Sequence, residues 1–250
     1  MNVLENLGLY AHFAIRALAA ALGAWLRPAE LLRQLYLLFV GALPLGIAAG
    51  LALGFVVWIH LHGAVPPEAR EQVPKYVAMA VALEFAPLSA GLILAGRSGA
   101  SLGAELGSMR LSEQIDAIEV LGLSPMKQLV GPRVLAAMIA LPLLTVVIGH
   151  VAMGSSYLAE AMGGTMTWTR YWSVVQSGLT GDPMLLKIIL STLKTIVFGY
   201  LVAVTGCFHG MNATGGTEGV GTAATRGVVV SIFMVLIANV FLVKLIELVS

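Results

Sequence analysis

Five long apolar runs, separated by shorter polar or glycine-rich intervals, dominate the chain at residues 35–59, 76–95, 134–153, 184–208 and 228–249. Each is about the length, roughly 20 residues, that crosses a bilayer as a helix. The pattern predicts an all-α integral membrane protein with five transmembrane helices in one membrane domain over residues 1–250. The stretch 1–28 is patterned differently. Leu4, Leu7, Ala11, Ala14, Ile15, Leu18, Leu22 and Trp25 recur at three- and four-residue steps, while Asn2, Glu5, Asn6, His12 and Arg16 fall elsewhere. This predicts an amphipathic helix in the membrane interface, ended by Arg27 and Pro28, with the Trp25 ring at headgroup depth. The alternative is that its apolar face packs on the protein itself.

Composition sharpens the membrane reading. Hydrophobic residues make up 58% of the chain and charged residues 11%, with a mean hydropathy of +0.92. A soluble domain is excluded, and no polar block is long enough for a separate catalytic or nucleotide-binding domain. The formal net charge of +1 does not point to nucleic acid. The single cysteine, Cys207, reads as a small packing residue. No secretory leader is expected, because Glu5 precedes any basic residue.

Charge also orients the spans. Arg16, Arg27, Arg33, Arg97, Arg110, Lys127, Arg133 and Arg226 fall on one side of a five-span topology, against Arg70, Lys75 and Arg170 on the other. The excess predicts a cytoplasmic N-terminus. The loops 60–74 and 163–183 and the terminal Ser250 are then expected on the periplasmic or exterior side. Two glycine rows, Gly46, Gly50, Gly54 and Gly99, Gly103, Gly107, have the four-residue spacing that lets helices approach closely, and they are expected to pack the bundle. No internal repeat is evident.

The interval 109–123 predicts a short surface helix. Ser112 is its expected N-cap, Glu113 and Asp116 its acidic first turn, and Leu111, Ile115, Ile118 and Leu121 its apolar stripe. Glu113, Gln114, Asp116 and Glu119 occupy the other faces, Gly122 with Leu123 suits a left-handed cap, and Pro125 blocks continuation. Such a helix is shaped to dock in another protein's groove, the alternative being a plain connection.

Polar residues inside the spans are few. Glu84 lies in the second span with Pro87 after it, and Lys194 of the fourth is its candidate partner. Arg97 and Asn239 complete the intramembrane polar set, as lining of a cavity or as structural pairs. Lys187 and Lys244 lie near span ends, where their amines reach headgroups. His150 and His209 lack companions at ligand spacing, so no metal site is expected. The cluster Gly215 to Gly221 lacks the lysine of a phosphate-binding loop and reads as a flexible loop. Gly96, Arg97, Ser98 and Gly99 match the short motif of rhomboid-type intramembrane serine proteases, a remote alternative that requires a histidine at Ser98. A passive scaffold is the remaining one.

Read together, Ala95 Gly96 Arg97, Gly99, Ala104 Glu105 Leu106 Gly107, Met109, Glu113 Gln114 Ile115 Asp116 Ala117, Gly122, Pro125, Pro132 and Arg133 resemble the central signature of the MlaE-type permeases of ABC transporters. A second resemblance covers residues 194–230, and the likeness extends over nearly the whole chain. Leu83 stands where the family often has an arginine, and Asn239 where aspartate is usual. The resemblance implies a homodimeric permease in the bacterial inner membrane, with the helix 109–123 coupling it to a cytoplasmic ATPase. That partner, not this chain, would bind ATP and Mg. It further implies a periplasmic MCE-domain partner and phospholipid as cargo, with sterol or another hydrophobic molecule as the alternative.

Overall fold

Every regular element among the described residues is helical, as uninterrupted apolar sequence in lipid requires when each backbone N–H and C=O must be satisfied within its own segment. The computed structural model describes residues 3–163, 166–181 and 184–249; the expectations for Asn2, Pro183 and Ser250, and for the Leu4 and Asn6 side chains, lie outside what it describes. Eight helical segments follow one another: α1 (Val3–Leu22), α2 (Pro28–Ala64), α3 (Pro67–Leu111), α4 (Gln114–Val120), α5 (Met126–Met162), α6 (Trp168–Leu179), α7 (Met184–Met211) and α8 (Gly216–Val249). Segments α2, α3, α5, α7 and α8 are long and apolar enough to cross a membrane. They are the five predicted spans, each extended beyond its apolar run. Hydropathy marks only the hydrocarbon-length centre of a helix, whereas the backbone keeps its hydrogen bonds into the polar flanks.

Three widened π turns interrupt these helices, at Tyr36–Val40, Val81–Phe85 and Met126–Val130. Each is followed within four residues by a proline of the same segment, Pro44, Pro87 or Pro132. Proline lacks the N–H that an α-helix needs at that position and its ring crowds the preceding turn, which the wider turn relieves.

Three expectations are corrected by elements the sequence reading missed. The interval 163–183, expected as a loop, contains the 12-residue helix α6, whose Tyr171, Val175 and Gly178 face inward. The glycine cluster expected as a flexible loop is helical from Gly216 onward; only Gly215 and Gly216, at φ +93° and +70°, form the turn that enters α8. The interval 60–74 is also mostly helical, continuing α2 to Ala64 and resuming as a 3-10 turn at Pro67–Gln72.

The chain packs as two compact units, one of residues 1–42, 91–141 and 196–238, the other of residues 43–90, 142–195 and 239–250. In the first, α1 buries Ala17, Ala20 and Ala21, not the leucine stripe, and the 3-10 turn Ala24–Leu26 after it buries Ala24: Leu7, Ile15, Leu18, Leu22 and Trp25 are exposed. The alanine face allows close approach, and a Cβ on Gly131 would sit 2.6 Å from the Ala20 carbonyl. Tyr10 OH bonds Thr205 at 2.8 Å and Tyr200 OH donates to the Ala14 carbonyl at 2.8 Å. Burial pushes the Tyr10 phenol above its ordinary range, with the Thr205 bond opposing. The small face of α1 therefore packs on protein, and its large apolar side chains remain exposed. Gly99 and Gly103 of α3 lie against α8, where their Cβ atoms would come 2.8 Å from the carbonyls of Gly227 and Ala223, and Gly107 makes an ordinary contact with Val220. Cys207 is buried as a packing residue.

In the second unit, α2 presents Gly46, Gly50 and Gly54 to α5. Cβ atoms there would meet the Leu144 side chain at 2.8 Å, the Ile148 carbonyl at 2.9 Å, and Ala152 with Ser155. Helix α6 closes over Ala78, Met153 and Met166 with Tyr171 and Val175. The Tyr171 hydroxyl donates to the Met153 carbonyl at 2.8 Å and bonds Ser156. Burial chiefly pushes this phenol up to about 12, with the Ser156 bond opposing.

Candidate functional site

Glu84 belongs to the π turn Val81–Phe85, which reorients its side chain just ahead of Pro87. Lys194 of α7 donates to one of its carboxylate oxygens at 2.6 Å, and Asn239 of α8 donates to the other. The lysine is buried, with a side chain 1% exposed, whereas the Glu84 side chain is 35% exposed. Lys194 also donates to the Leu83 carbonyl at 3.3 Å. That carbonyl stands four residues before Pro87 and lacks its α-helical donor for that reason. Proline, π turn and lysine thus form one device: the proline frees an acceptor, the turn exposes a carboxylate, and one ammonium serves both. Asn239 Oδ1 is buried without a hydrogen-bond partner.

Beside this cluster lies a cavity of about 140 Å³ lined by Leu83, Glu84, Lys187, Ser191, Val243, Ile246 and Glu247. Lys187, expected only to reach headgroups, is half-buried and lines it. Lys244 instead pairs with Glu247 at 3.3 Å on the exposed side of α8. The cavity therefore carries acidic and basic groups within an apolar wall. Arg97, grouped with these residues in the sequence reading, belongs to the other unit, where it is exposed and donates to the Leu37 carbonyl at 3.1 Å.

The helix expected over 109–123 is shorter and starts differently. Met109 to Leu111 complete α3, and α4 covers only Gln114–Val120. Ser112 is not its cap: the hydroxyl donates back to the Ser108 carbonyl at 2.9 Å, as serine does at a helix end. Glu113 occupies the cap position in a left-handed conformation, φ +57°. Asp116 is in the first turn, but its carboxylate is paired with Arg110. The predicted stripe divides. Ile115 is buried and Ile118 half-buried, whereas Leu111 and Leu121 face out. The C-terminal cap is as expected, with Gly122 at φ +73°. Leu123 N–H reaches the Ile118 carbonyl at 3.1 Å and Gly122 N–H the Glu119 carbonyl at 2.9 Å, the paired bonds of a Schellman cap. The cap ends α4 on an exposed apolar tip, Val120 at 87% and Leu121 at 74%, flanked by exposed Glu113, Gln114 and Glu119.

Three partly buried polar pairings escaped the sequence reading. Arg133 donates to Glu105 at 2.7 Å and to the Leu129 carbonyl at 2.7 Å. Trp58 Nε1 donates to Glu160 at 2.6 Å. Gln34, itself buried, donates to Glu30 at 2.8 Å. For the first, a signal existed: Glu105 and Arg133 both stand in the signature residues, but nothing in a separation of 28 positions says that they touch.

The protease motif lies inside the continuous helix α3, with Ser98 buried and its hydroxyl without a hydrogen-bond partner. Among the described residues no histidine hydrogen-bonds that hydroxyl, the contact a serine nucleophile uses. Ser98→Ala is expected to leave thermal stability unchanged or raise it by up to about 1 kcal/mol, since the hydroxyl makes no bond to lose. A melting curve of the purified variant checks this.

Comparison with known proteins agrees with the resemblance carried by the signature. A family described as Permease MlaE matches residues 31–245. A probable ABC transporter permease protein of Rickettsia typhi is 30% identical over 242 residues, 96% of this chain and 92% of the relative. The Arabidopsis thaliana chloroplastic protein TRIGALACTOSYLDIACYLGLYCEROL 1 is 35% identical over 164 residues, 65% of this chain and 45% of the relative. The intermembrane phospholipid transport system permease protein MlaE of Haemophilus influenzae is 26% identical over 207 residues, 82% and 78% of the two chains.

Proposed function

Because the chain belongs to the MlaE family of ABC transporter permeases, we propose that it is the membrane subunit of a lipid transporter whose cargo is phospholipid. It works as a homodimer in the bacterial inner membrane, N-terminus cytoplasmic and C-terminus periplasmic, between a cytoplasmic ATPase that binds ATP and Mg and a periplasmic MCE-domain protein. The observation that carries this reading is the Glu84 cluster. A carboxylate held by Lys194 and Asn239 opens on an apolar cavity that also contains Lys187 and Glu247. A phospholipid headgroup carries a phosphate and often an ammonium, and paired groups of both signs in an apolar wall match that chemistry. The Haemophilus relative, described as a phospholipid transport permease, supports the same cargo. A mild-detergent pull-down from native membranes, with mass spectrometry of proteins and lipids, tests it. An ATPase, an MCE-domain protein and enriched phospholipid are expected; recovery of the chain alone, or with sterol in place of phospholipid, would overturn the corresponding part.

The coupling contact is the tip of α4. Its exposed apolar pair with acidic neighbours fits a groove with an apolar floor and a basic rim. Val120→Asp with Leu121→Asp is expected to release the ATPase without lowering the permease's melting temperature, because both side chains are solvent-facing. Retention of the ATPase in the pull-down would refute the docking assignment.

A further inference from the structure

A second cavity, remote in character from the Glu84 cluster, lies wholly within the first unit. It encloses about 350 Å³ and is lined by α1, the end of α7, the turn at 212–215 and the start of α8. That volume falls in the usual range of small-molecule sites, roughly 300–1,000 Å³. Its walls differ in kind. Leu9, Phe208, Ala213 and Ala223 contribute apolar lining, and Arg226, His209 and Thr214 contribute polar groups. No carboxylate lines it.

The contrast with the other arginine-lined cavity, beside α4, is informative. There, Arg27 is bonded to Gln128, Arg33 to Glu30 at 3.5 Å and Arg133 to Glu105 at 2.7 Å, so every guanidinium in the wall has its acceptor. Arg226 is exposed on the rim and has no acceptor among the described residues. The neighbouring Asn212 and Thr222 do not supply one, since their side chains donate to the Phe208 and Glu218 carbonyls of their own helices. A guanidinium offers five N–H donors in a planar fork that matches a phosphate, and it keeps its charge throughout the physiological range. Gly219 lets the turn lie close against the start of α8: a Cβ there would strike the Thr214 backbone.

We propose that this cavity is a phosphate-group site in which Arg226 grips the phosphate, Thr214 and His209 add hydrogen bonds, and Leu9 and Phe208 shelter the apolar part of the molecule that bears it. The phosphate belongs either to a phospholipid headgroup or to a soluble phosphate, and the two are separable by titration. The full chain in a nonionic detergent is titrated by calorimetry with dihexanoyl phosphatidylglycerol below its micellar concentration and, at constant ionic strength, with inorganic phosphate. Arg226→Gln is expected to weaken binding at least roughly tenfold, about 1.4 kcal/mol. Arg226→Lys, which keeps the charge but not the fork, should weaken it less, and Arg170→Gln not at all. Thr214→Val gives a second, milder loss that does not depend on the arginine variant folding. Tighter binding of the lipid than of inorganic phosphate assigns the site to a headgroup, and equal binding assigns it to soluble phosphate. Absence of binding by both probes, or equal affinity in wild type and in both Arg226→Gln and Thr214→Val, would overturn the proposal.

Discussion

Replacing Glu84 with leucine is expected to reduce phospholipid transfer at least tenfold in proteoliposomes that contain the ATPase and MCE partners. The carboxylate bridges Lys194 and Asn239 and is the member of the cluster open to the adjoining cavity. Its removal leaves the buried Lys194 ammonium with only the Leu83 carbonyl. Stripping one partner from a buried ion pair typically costs about 3–5 kcal/mol, so the single variant should also melt at a lower temperature. Loss of transfer through instability and loss through chemistry are separated by Glu84→Leu with Lys194→Leu. The double variant removes both charges together, and replacing a buried pair by apolar residues is often neutral or better for stability. It should recover the melting temperature but not the transfer rate. Full transfer by the double variant would make the cluster purely structural, and full transfer by the single variant would remove Glu84 from the lipid path altogether.

The second large effect is expected at Gly99. A valine there must place its Cβ 2.8 Å from the Gly227 carbonyl, and the same face of α3 is approached by Gly206 of α7. Overpacking a core costs roughly 1–3 kcal/mol where side chains yield. Here the obstacle is backbone, and α8 would have to move as a whole. Gly99→Val should therefore exceed that range and shift the detergent-solubilised protein to aggregates on size exclusion. Gly96, three residues earlier on the same helix, has open space where a Cβ would go. Gly96→Ala should be tolerated and gain about 0.5–1 kcal/mol from the higher helix propensity of alanine. A monodisperse Gly99→Val variant with wild-type melting would show that the close crossing is not required for the fold.

Much of this architecture was legible because it rests on short-range rules. An apolar run of sufficient length becomes a helix in lipid wherever it lies in the chain, so the five spans could be counted before any packing was known. The four-residue spacing of Gly46, Gly50 and Gly54 puts all three on one face by helix geometry alone. The Gly122 cap was readable for the same reason, since its bonds stay within six residues. Where two local rules competed, the reading failed. Ser112 is as good a helix-ending as a helix-starting residue, and the continuation of α3 to Leu111 decided for the former. Helix α6 was not legible as a span because its 12 residues fall short of the length that crosses a bilayer. Its inward spacing of 171, 175 and 178 was nonetheless present in the sequence.

The residues by themselves determined that this is a five-span helical membrane protein with the signature of its family, because hydropathy, helix period and motif spacing are additive along the chain. The sequence already offers Lys194 as the partner of Glu84, and the structure places the two at 2.6 Å. Only the tertiary structure decided the other meetings: Asn239 reaches Glu84 across 155 positions, Arg133 takes Glu105, and Arg226 has no acceptor among the described residues. It also chose the alanine face of α1 over the leucine stripe for packing on protein. Those outcomes depend on which helix faces meet and how closely their backbones approach. In an apolar surrounding, where burial of hydrocarbon no longer distinguishes one face from another, the choice falls to the fit of small residues and the pairing of the few polar ones.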